Sequence, residues 1–493
     1  MKLYHTCSIT VYFLFLAGYG VRSQQIFQLH PENPHYFSFR GEPTVLISSA
    51  EHYGAVINTA FDYQTYLKTL HEEGMNYTRI FTGSYVEIPG AFGIGNNTLA
   101  PSSGKFLAPW KRVDEPGQYE GESKFDLTQW EEDYFSRLKA FVELAGTYDI
   151  IVEVTLFSSI YQDSNWERNP FNPKNNINPI TSNVDWKKAN TLDNGGIFHF
   201  QKSMVAKIVK ELSSYDNVFY ELQNEPWSDD PQKVLRILRT LEPQPGTGDW
   251  FKWAEEASQA SLEWQKALAQ VIVDTEKNLP QKHLIAQNYT NFKYALTEVD
   301  PNISILNFHY AWPETIGMNY AWDRPIGFDE SGFAGSSDTT YLRQAWQFLL
   351  SGGATFNNLD YSFFVGKEDG TGLNQAPGGG SPALRKQLGY LATFMQSLDY
   401  VKMQPDPICV YQAPGREWHA ISEKGKQYAI ILSGNLGNKL QLDVSPGEYS
   451  YSILSPLTGM ELKSGKLESQ AGLKTQLDLP KTGELLAVRI KRL

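Results

Sequence analysis

The chain is poor in cysteine. Among 493 residues only Cys7 and Cys409 carry a thiol. Cys7 sits in an apolar leader, which leaves Cys409 alone and excludes both an intramolecular disulfide and a cysteine metal site. Positive charge is also in short supply: 43 Lys and Arg face 55 Asp and Glu, a formal net charge of −12. No basic cluster stands against that mean, so the footprint of a nucleic-acid binder is missing. Beyond the N-terminus there is no long hydrophobic run, and no stable membrane span is expected. Several motifs are absent too: His-Glu-x-x-His, Gly-x-Ser-x-Gly, a Gly-x-Gly-x-x-Gly after the first strand, and a Gly-rich loop ending in Lys-Ser/Thr. These absences argue against a zinc protease, a serine hydrolase and a nucleotide-binding sheet. Neither a metal nor a cofactor is called for.

What is present starts with a leader. Lys2, an apolar stretch over 9–17 and small or polar residues over 18–23 read as a secretory signal peptide covering 1–23. A secreted or periplasmic protein follows from that reading. The length suggests two or three domains, and the 41% hydrophobic content is enough for a large core. Aromatic residues reach 13%, with 12 Trp and 27 Tyr. Such rings serve core packing, and they also cover the apolar faces of sugar rings.

From about residue 44 a pattern recurs: a short β-branched run, a polar or aromatic loop, then a stretch with helical spacing. The spacing predicts eight strands, at 44–48, 76–81, 150–156, 218–223, 284–287, 303–308, 325–328 and 354–359. Helices are predicted near 62–73, 129–148, 198–213, 250–276, 340–350 and 382–398. Eight such units point to an α/β fold, a closed (β/α)8 TIM barrel over 24–400. Long inserts follow the second, third and fourth strands, all on the face where such barrels build their sites. They hold Trp110, Tyr119, Tyr161, Trp166, Trp186 and Trp227. After about residue 400 the helical spacing stops. Alternating strands are predicted at 408–412, 417–422, 427–433, 439–444, 448–454, 475–479 and 484–490, a small C-terminal antiparallel β-sandwich over 401–493. The extended segment 27–40 leaves two placements open: a further sandwich strand, or a cap on the barrel.

Two glutamates stand where chemistry is expected. Gln223-Asn224-Glu225-Pro226 closes the fourth strand, and Pro226 ends the strand and restrains Glu225. Phe328-Asp329-Glu330-Ser331 closes the seventh. Strands four and seven face each other across a closed barrel. Two carboxyl groups flanking a gap are what glycosidic cleavage requires, one as proton donor and one as nucleophile or base. Glu221, four residues before Glu225, reads as a hydrogen-bonding or ion-pair residue within the strand.

The Asn-Glu-Pro segment after strand four, with a second Glu after strand seven, resembles the retaining barrel glycosidases of clan A, which include the family 5 cellulases and mannanases. The resemblance covers roughly 40–400. It implies an acid/base role for Glu225, a nucleophile role for Glu330, and contact of Asn224 with a sugar 2-hydroxyl. It implies that Arg79 orders the nucleophile region and that His309 and Tyr310 support it from strand six. In the clan one residue usually separates that His and Tyr; here they are adjacent, so only one is expected to point inward. Trp312 is a candidate sugar-facing aromatic. Glu51 and His52, with Tyr53, form a polar cluster after the first strand. The familiar Trp of the eighth strand is absent, with Tyr361 or Phe363 in its place. The expected partner is a carbohydrate. Analogy leans to β-glucan, and β-mannan and β-galactan are equally compatible. A transglycosylase and a non-catalytic carbohydrate-binding barrel are the rival readings. Oligomeric state is not legible.

Overall fold

The computed structural model describes residues 26–493 except 182, 238–249, 374–375, 435–436 and 482. The leader over 1–23 lies outside the described residues.

Eight parallel strands curl into a near-closed barrel: β1 (Leu46–Ala50), β2 (Tyr77–Phe81), β3 (Ile151–Ser158), β4 (Val218–Asn224), β5 (Ile285–Asn291), β6 (Ile305–His309), β7 (Ile326–Glu330) and β8 (Thr355–Leu359). All are buried along their length, as the near-continuous apolar runs require. β8 pairs with β1, so the sheet returns on itself. The seam lies between β1 and β2. There the Asn76 side chain accepts from Ile47 N–H at 2.9 Å and donates to Val45 O at 2.8 Å, standing in for ladder bonds. Among the described residues six long helices pack outside, α1 (Tyr63–Glu72), α2 (Glu132–Thr147), α3 (Ile197–Leu212), α4 (Gln259–Glu276), α5 (Asp338–Leu349) and α6 (Pro382–Gln396).

Three sequence expectations need correction. The predicted helix over 250–276 begins only at Gln259; before it, Trp253–Glu256 is a strand paired with Gln232–Arg236 and touching β5 at Thr290. Trp250 stacks on Phe292 (ring centroids 5.6 Å apart), an aromatic anchor that holds this segment over the barrel mouth. The helix expected from 129 starts at Glu132, because Ser123–Trp130 forms a hairpin with Trp110–Pro116. The first strand runs two residues later than expected, since Glu42–Thr44 belongs to a separate three-stranded sheet with Gln28–Leu29 and Phe37–Phe39.

That sheet settles the open placement of segment 27–40. It caps the barrel end opposite the long inserts. Phe27 packs on Phe219 of β4 with ring centroids 5.5 Å apart, and Arg40 pairs with Asp216 at 2.9 Å.

The C-terminal region has two antiparallel sheets, of six and three strands. Its central strand Gln427–Ser433 is buried on both faces, as is the first half of Leu485–Arg492. Ile430, Leu432, Leu486 and Val488 fill the region's own core, while Ala429, Ile431, Leu485 and Ala487 join the core of the barrel. The side-chain period of two thus serves two cores at once. Glu461–Ser469, a further strand, has no apolar alternation because it is an exposed edge. Cys409 is free and buried. Among the described residues no helix is long and apolar enough to cross a membrane.

Candidate active site

The inserts and strand ends of the C-terminal face enclose a cavity of about 580 Å³, within the ~300–1,000 Å³ range of small-molecule sites. His52, Asn224, Glu225, Tyr310, Glu330 and Tyr361 line it. So do Tyr53, Tyr85, Glu87, Tyr161, Trp227 and Trp250.

Glu225 directly follows β4 and has φ 46, a left-handed backbone that is strained for a residue with a Cβ. Two contacts hold it there: its N–H donates to Asn288 Oδ1 at 3.0 Å, and its carbonyl accepts from the Ser159 hydroxyl at 2.7 Å. Glu330 is the last residue of β7 and stands opposite His309 in the ladder. Such strain clusters here. Six of the ten described non-glycine residues with positive φ line the cavity: Tyr53, Phe92, Tyr161, Glu225, Tyr310 and Phe333.

The two carboxylates are close. A set of ligand atoms, one each from Glu225, His309 and Glu330, lies within 4.8 Å of one another. The Tyr310 hydroxyl is 2.9 Å from Oε1 of Glu225 and 2.9 Å from Oε1 of Glu330. One phenol has one proton to give. Satisfying both contacts requires that it donate to one carboxylate and accept from the other as a carboxylic acid. The geometry therefore suits a pair sharing one proton.

Adjacent His309 and Tyr310 both reach the site. A bulge in the β6–β7 pairing and the left-handed turn at Tyr310 (φ 51) rotate the chain so that both point inward, against the alternation expected of a regular strand. His309 Nδ1 lies 3.0 Å from Glu225 and 3.5 Å from Glu330; Nε2 faces Asp329 at 3.4 Å. Burial opposes charge on His309, but Glu330 and Asp329 outweigh it and raise the imidazole well above its usual range. Burial likewise works to raise Glu225, yet the hydrogen bond and charge of His309 hold it below the usual carboxylate range. On Glu330 burial and the charge of Glu225 prevail over His309 and Arg79, and the net direction is upward.

Glu330 has further donors. Tyr53 OH donates to Oε2 at 2.8 Å, and Arg79 Nη1 lies 3.3 Å from the same oxygen. Arg79 is fully buried and also pairs with Glu221, whose expected ion-pair role is thereby filled. Beneath the cavity a second close group, Glu153, Glu221 and Asp329, also fits within 4.8 Å. Both groups have the spacing of metal ligands. In each, however, a protein cation already supplies the positive charge, His309 above and Arg79 below.

The other expected site residues divide. Asn224 lines the cavity and donates to Tyr161 OH at 2.7 Å, while its buried Oδ1 has no partner. His52 and Tyr361 line the cavity with their rings edge to face at 5.8 Å. Glu51 does not reach it. Its carboxylate accepts from Gly54 N–H at 3.1 Å, Ala55 N–H at 2.9 Å and the Thr98 hydroxyl, and so pins the loop after β1. Trp312 lies outside the lining, packed on Phe292 and covered by Lys293. The sequence places Tyr53 in the polar cluster with Glu51 and His52, and its bond to Glu330 is what the structure adds. Sequence reasoning missed Glu87, which sits in an insert without periodicity.

No family model matches the chain, and no curated protein matches it in sequence. Solved structures do resemble it. A provisional glycoside hydrolase of Bacteroides vulgatus aligns with TM-score 0.66 at 12% identity, over 96% of this chain and 83% of that one. A structure described as a glycoside hydrolase aligns with TM-score 0.62 at 10% identity, over 95% and 97%. A family 5 glycoside hydrolase of Bacteroides vulgatus aligns with TM-score 0.61 at 11% identity, over 95% and 93%. The chain has the barrel fold of glycoside hydrolases, with paired carboxylates at its mouth. At these identities the likeness is one of fold and singles out no family.

Proposed function

We propose that the protein is a retaining glycoside hydrolase in which Glu330 is the nucleophile and Glu225 the acid/base. The observation that carries this reading is the close approach of the two carboxyl groups, with oxygens within 4.8 Å. Retaining glycosidases hold their carboxyls ~5–5.5 Å apart, inverting ones ~6.5–9.5 Å to admit a water between.

In the first step a Glu330 oxygen attacks the anomeric carbon while Glu225 gives its proton to the departing oxygen. A covalent glycosyl ester on Glu330 results. Glu225, now ionised, takes a proton from water, and that water displaces Glu330 with a second inversion. Tyr53 and Arg79, both on Glu330, favour its ionised form. His309 draws negative charge toward Glu225, the reverse of what the first step needs. Tyr310 touches both carboxyls and offers a single-hydroxyl path by which the shared proton crosses to Glu225 as the sugar seats on Glu330. Asn224 is placed to meet the sugar beside the acid/base. The substrate is a β-linked glycan, with β-glucan, β-mannan and β-galactan all accommodated by the cleft chemistry. The leader over 1–23 would export the enzyme.

Azide rescue tests the assignment on an activated aryl β-glycoside. Glu330→Gly should lose turnover and, with azide, form a glycosyl azide of inverted configuration. Glu225→Ala with azide should yield the retained one. The opposite pair of products would exchange the roles, and near wild-type rates in both variants would overturn the reading.

A further inference from the structure

Glu87 is a third carboxylate of the cavity, and the double displacement gives it no task. It is 3% exposed, at the neck of an insert closed by Glu87 N–H to Leu99 O at 2.8 Å. Its Oε1 accepts from Tyr85 OH at 3.2 Å and its Oε2 from the Asn97 amide. A carboxylate offers about four acceptor sites, so acceptor capacity is left on both oxygens. His52 faces the same oxygen: its Nε2 is 3.9 Å from Oε1, too far for a direct hydrogen bond. The His52 Nδ1 is buried with no partner. Burial and the positive charge of Arg79 keep the imidazole neutral, with a pKa lowered to about 3. The next residue, Tyr53, is the one that binds Glu330. Burial raises Glu87 to about 7, and the charges of Glu330 and Glu225 add to the effect, which places Glu87 within electrostatic reach of the reacting pair.

We propose that Glu87 and His52 form a recognition pair for one hydroxyl group of the neutral sugar residue held against Glu330. The hydroxyl oxygen would sit on the cavity side of the pair, at the apex of a triangle whose base is the 3.9 Å between them, donating its proton to Glu87 and accepting from Nε2–H of His52. A hydroxyl does both. A sugar ammonium group can donate to Glu87 but cannot accept from His52, and a uronate carboxyl is repelled. The titratable side chains lining the cavity add to that repulsion: Glu87, Glu225, Glu255 and Glu330 are acidic, and Lys233 is the single lysine or arginine of the lining among the described residues. This inference rests on the glycosidase reading for the sugar's placement, and it concerns which sugar is accepted rather than how the bond breaks.

The test uses the full-length protein and 4-nitrophenyl β-glycosides of gluco, galacto, manno and xylo configuration. On the parent turned over best, each monodeoxy analogue is compared between wild type, Glu87→Gln, Glu87→Ala and His52→Ala. One deoxy position should cost the wild type roughly tenfold or more in kcat/KM, the scale of a hydrogen bond to a charged group. The same deletion should cost Glu87→Ala little. Glu87→Gln keeps the shape of the side chain and guards against a folding defect, with melting temperature as the check. If every variant discriminates among the analogues as the wild type does, the pair is overturned while the hydrolase reading stands. If the wild type binds the sugars by calorimetry without cleaving any, and Glu87→Ala loses discrimination in binding, recognition stands and the hydrolase reading falls. Neither turnover nor binding would overturn both.

Discussion

Two acidic clusters, each with one ligand atom per residue within 4.8 Å of the others, lie at different depths in the barrel. The upper one, Glu225 and Glu330 with His309, borders the cavity. The lower one, Glu153, Glu221 and Asp329, is sealed from solvent, each residue at 0% exposure. In the lower cluster Asn307 donates to Glu153 at 2.9 Å and to Glu221 at 3.1 Å, Tyr77 donates to Glu153, and Arg79 pairs with Glu221. Carboxylate proximity alone therefore does not mark chemistry. What separates the clusters is access: the upper pair keeps a face toward a ligand-sized space, while the lower trio has none, and its Asp329 faces Arg79 at 3.6 Å and His309 at 3.4 Å. Arg79 joins the two, reaching Glu221 and Glu330 with the same guanidinium.

Substitutions can break that contrast. Arg79→Met should have the largest effect because it strips the cation from both layers. Leaving buried carboxylates unpaired costs about 3–5 kcal/mol, read as a fall in unfolding free energy in denaturant, and turnover should fall with it. Glu225→Ala should instead separate the two properties. Removing the acid/base should lower turnover roughly 10²–10⁴-fold, while the melting temperature changes little because Glu330 and Asp329 still face His309. Equal damage to stability from this variant would erase the distinction between the layers.

Acidity sharpens the comparison further. Burial, their leading cause, raises Glu51, Glu87 and Asp229 to about 7. In the unfolded chain such carboxyls ionise near their ordinary values. Between the two pKa values the folded protein binds more protons, so stability falls as pH rises from about 4 to about 7 and levels off above. The denaturation midpoint should drop between pH 5 and pH 7.5, and Glu87→Gln should flatten the slope. The smallest effect is expected from Glu153→Gln. Burial and the charge of Glu221 push Glu153 well above the usual carboxylate range, which disfavours its charged form. An isosteric amide can accept from Asn307 with its oxygen and donate to the Tyr77 hydroxyl with its nitrogen, and unfolding free energy should change by less than about 1 kcal/mol.

The barrel was legible because eight β-branched runs alternate with helical spacing, a signal written into the composition of each element. The two glutamates were legible because each ends such a run. What escaped was set by contacts distant in sequence. Trp253–Glu256 reads as the start of α4 until its partner strand Gln232–Arg236 is known. Glu461–Ser469 is an exposed edge and carries no apolar period. The shared inward aim of His309 and Tyr310 depends on a positive φ and a bulge, and neither has a residue-type signature outside glycine. Trp312, a candidate sugar-facing aromatic in the sequence, packs on Phe292 outside the cavity lining. Glu87 is placed by the closure of its insert, and an aperiodic loop reveals no such closure in advance.

The most direct test is stereochemical. Proton NMR of the first sugar released from a β-glycoside, recorded before mutarotation, reads which face of the anomeric carbon the water attacked. Release of the β-anomer is the outcome expected of two carboxyls this close together. Release of the α-anomer would mean a single inversion by water held between them, and would contradict the account.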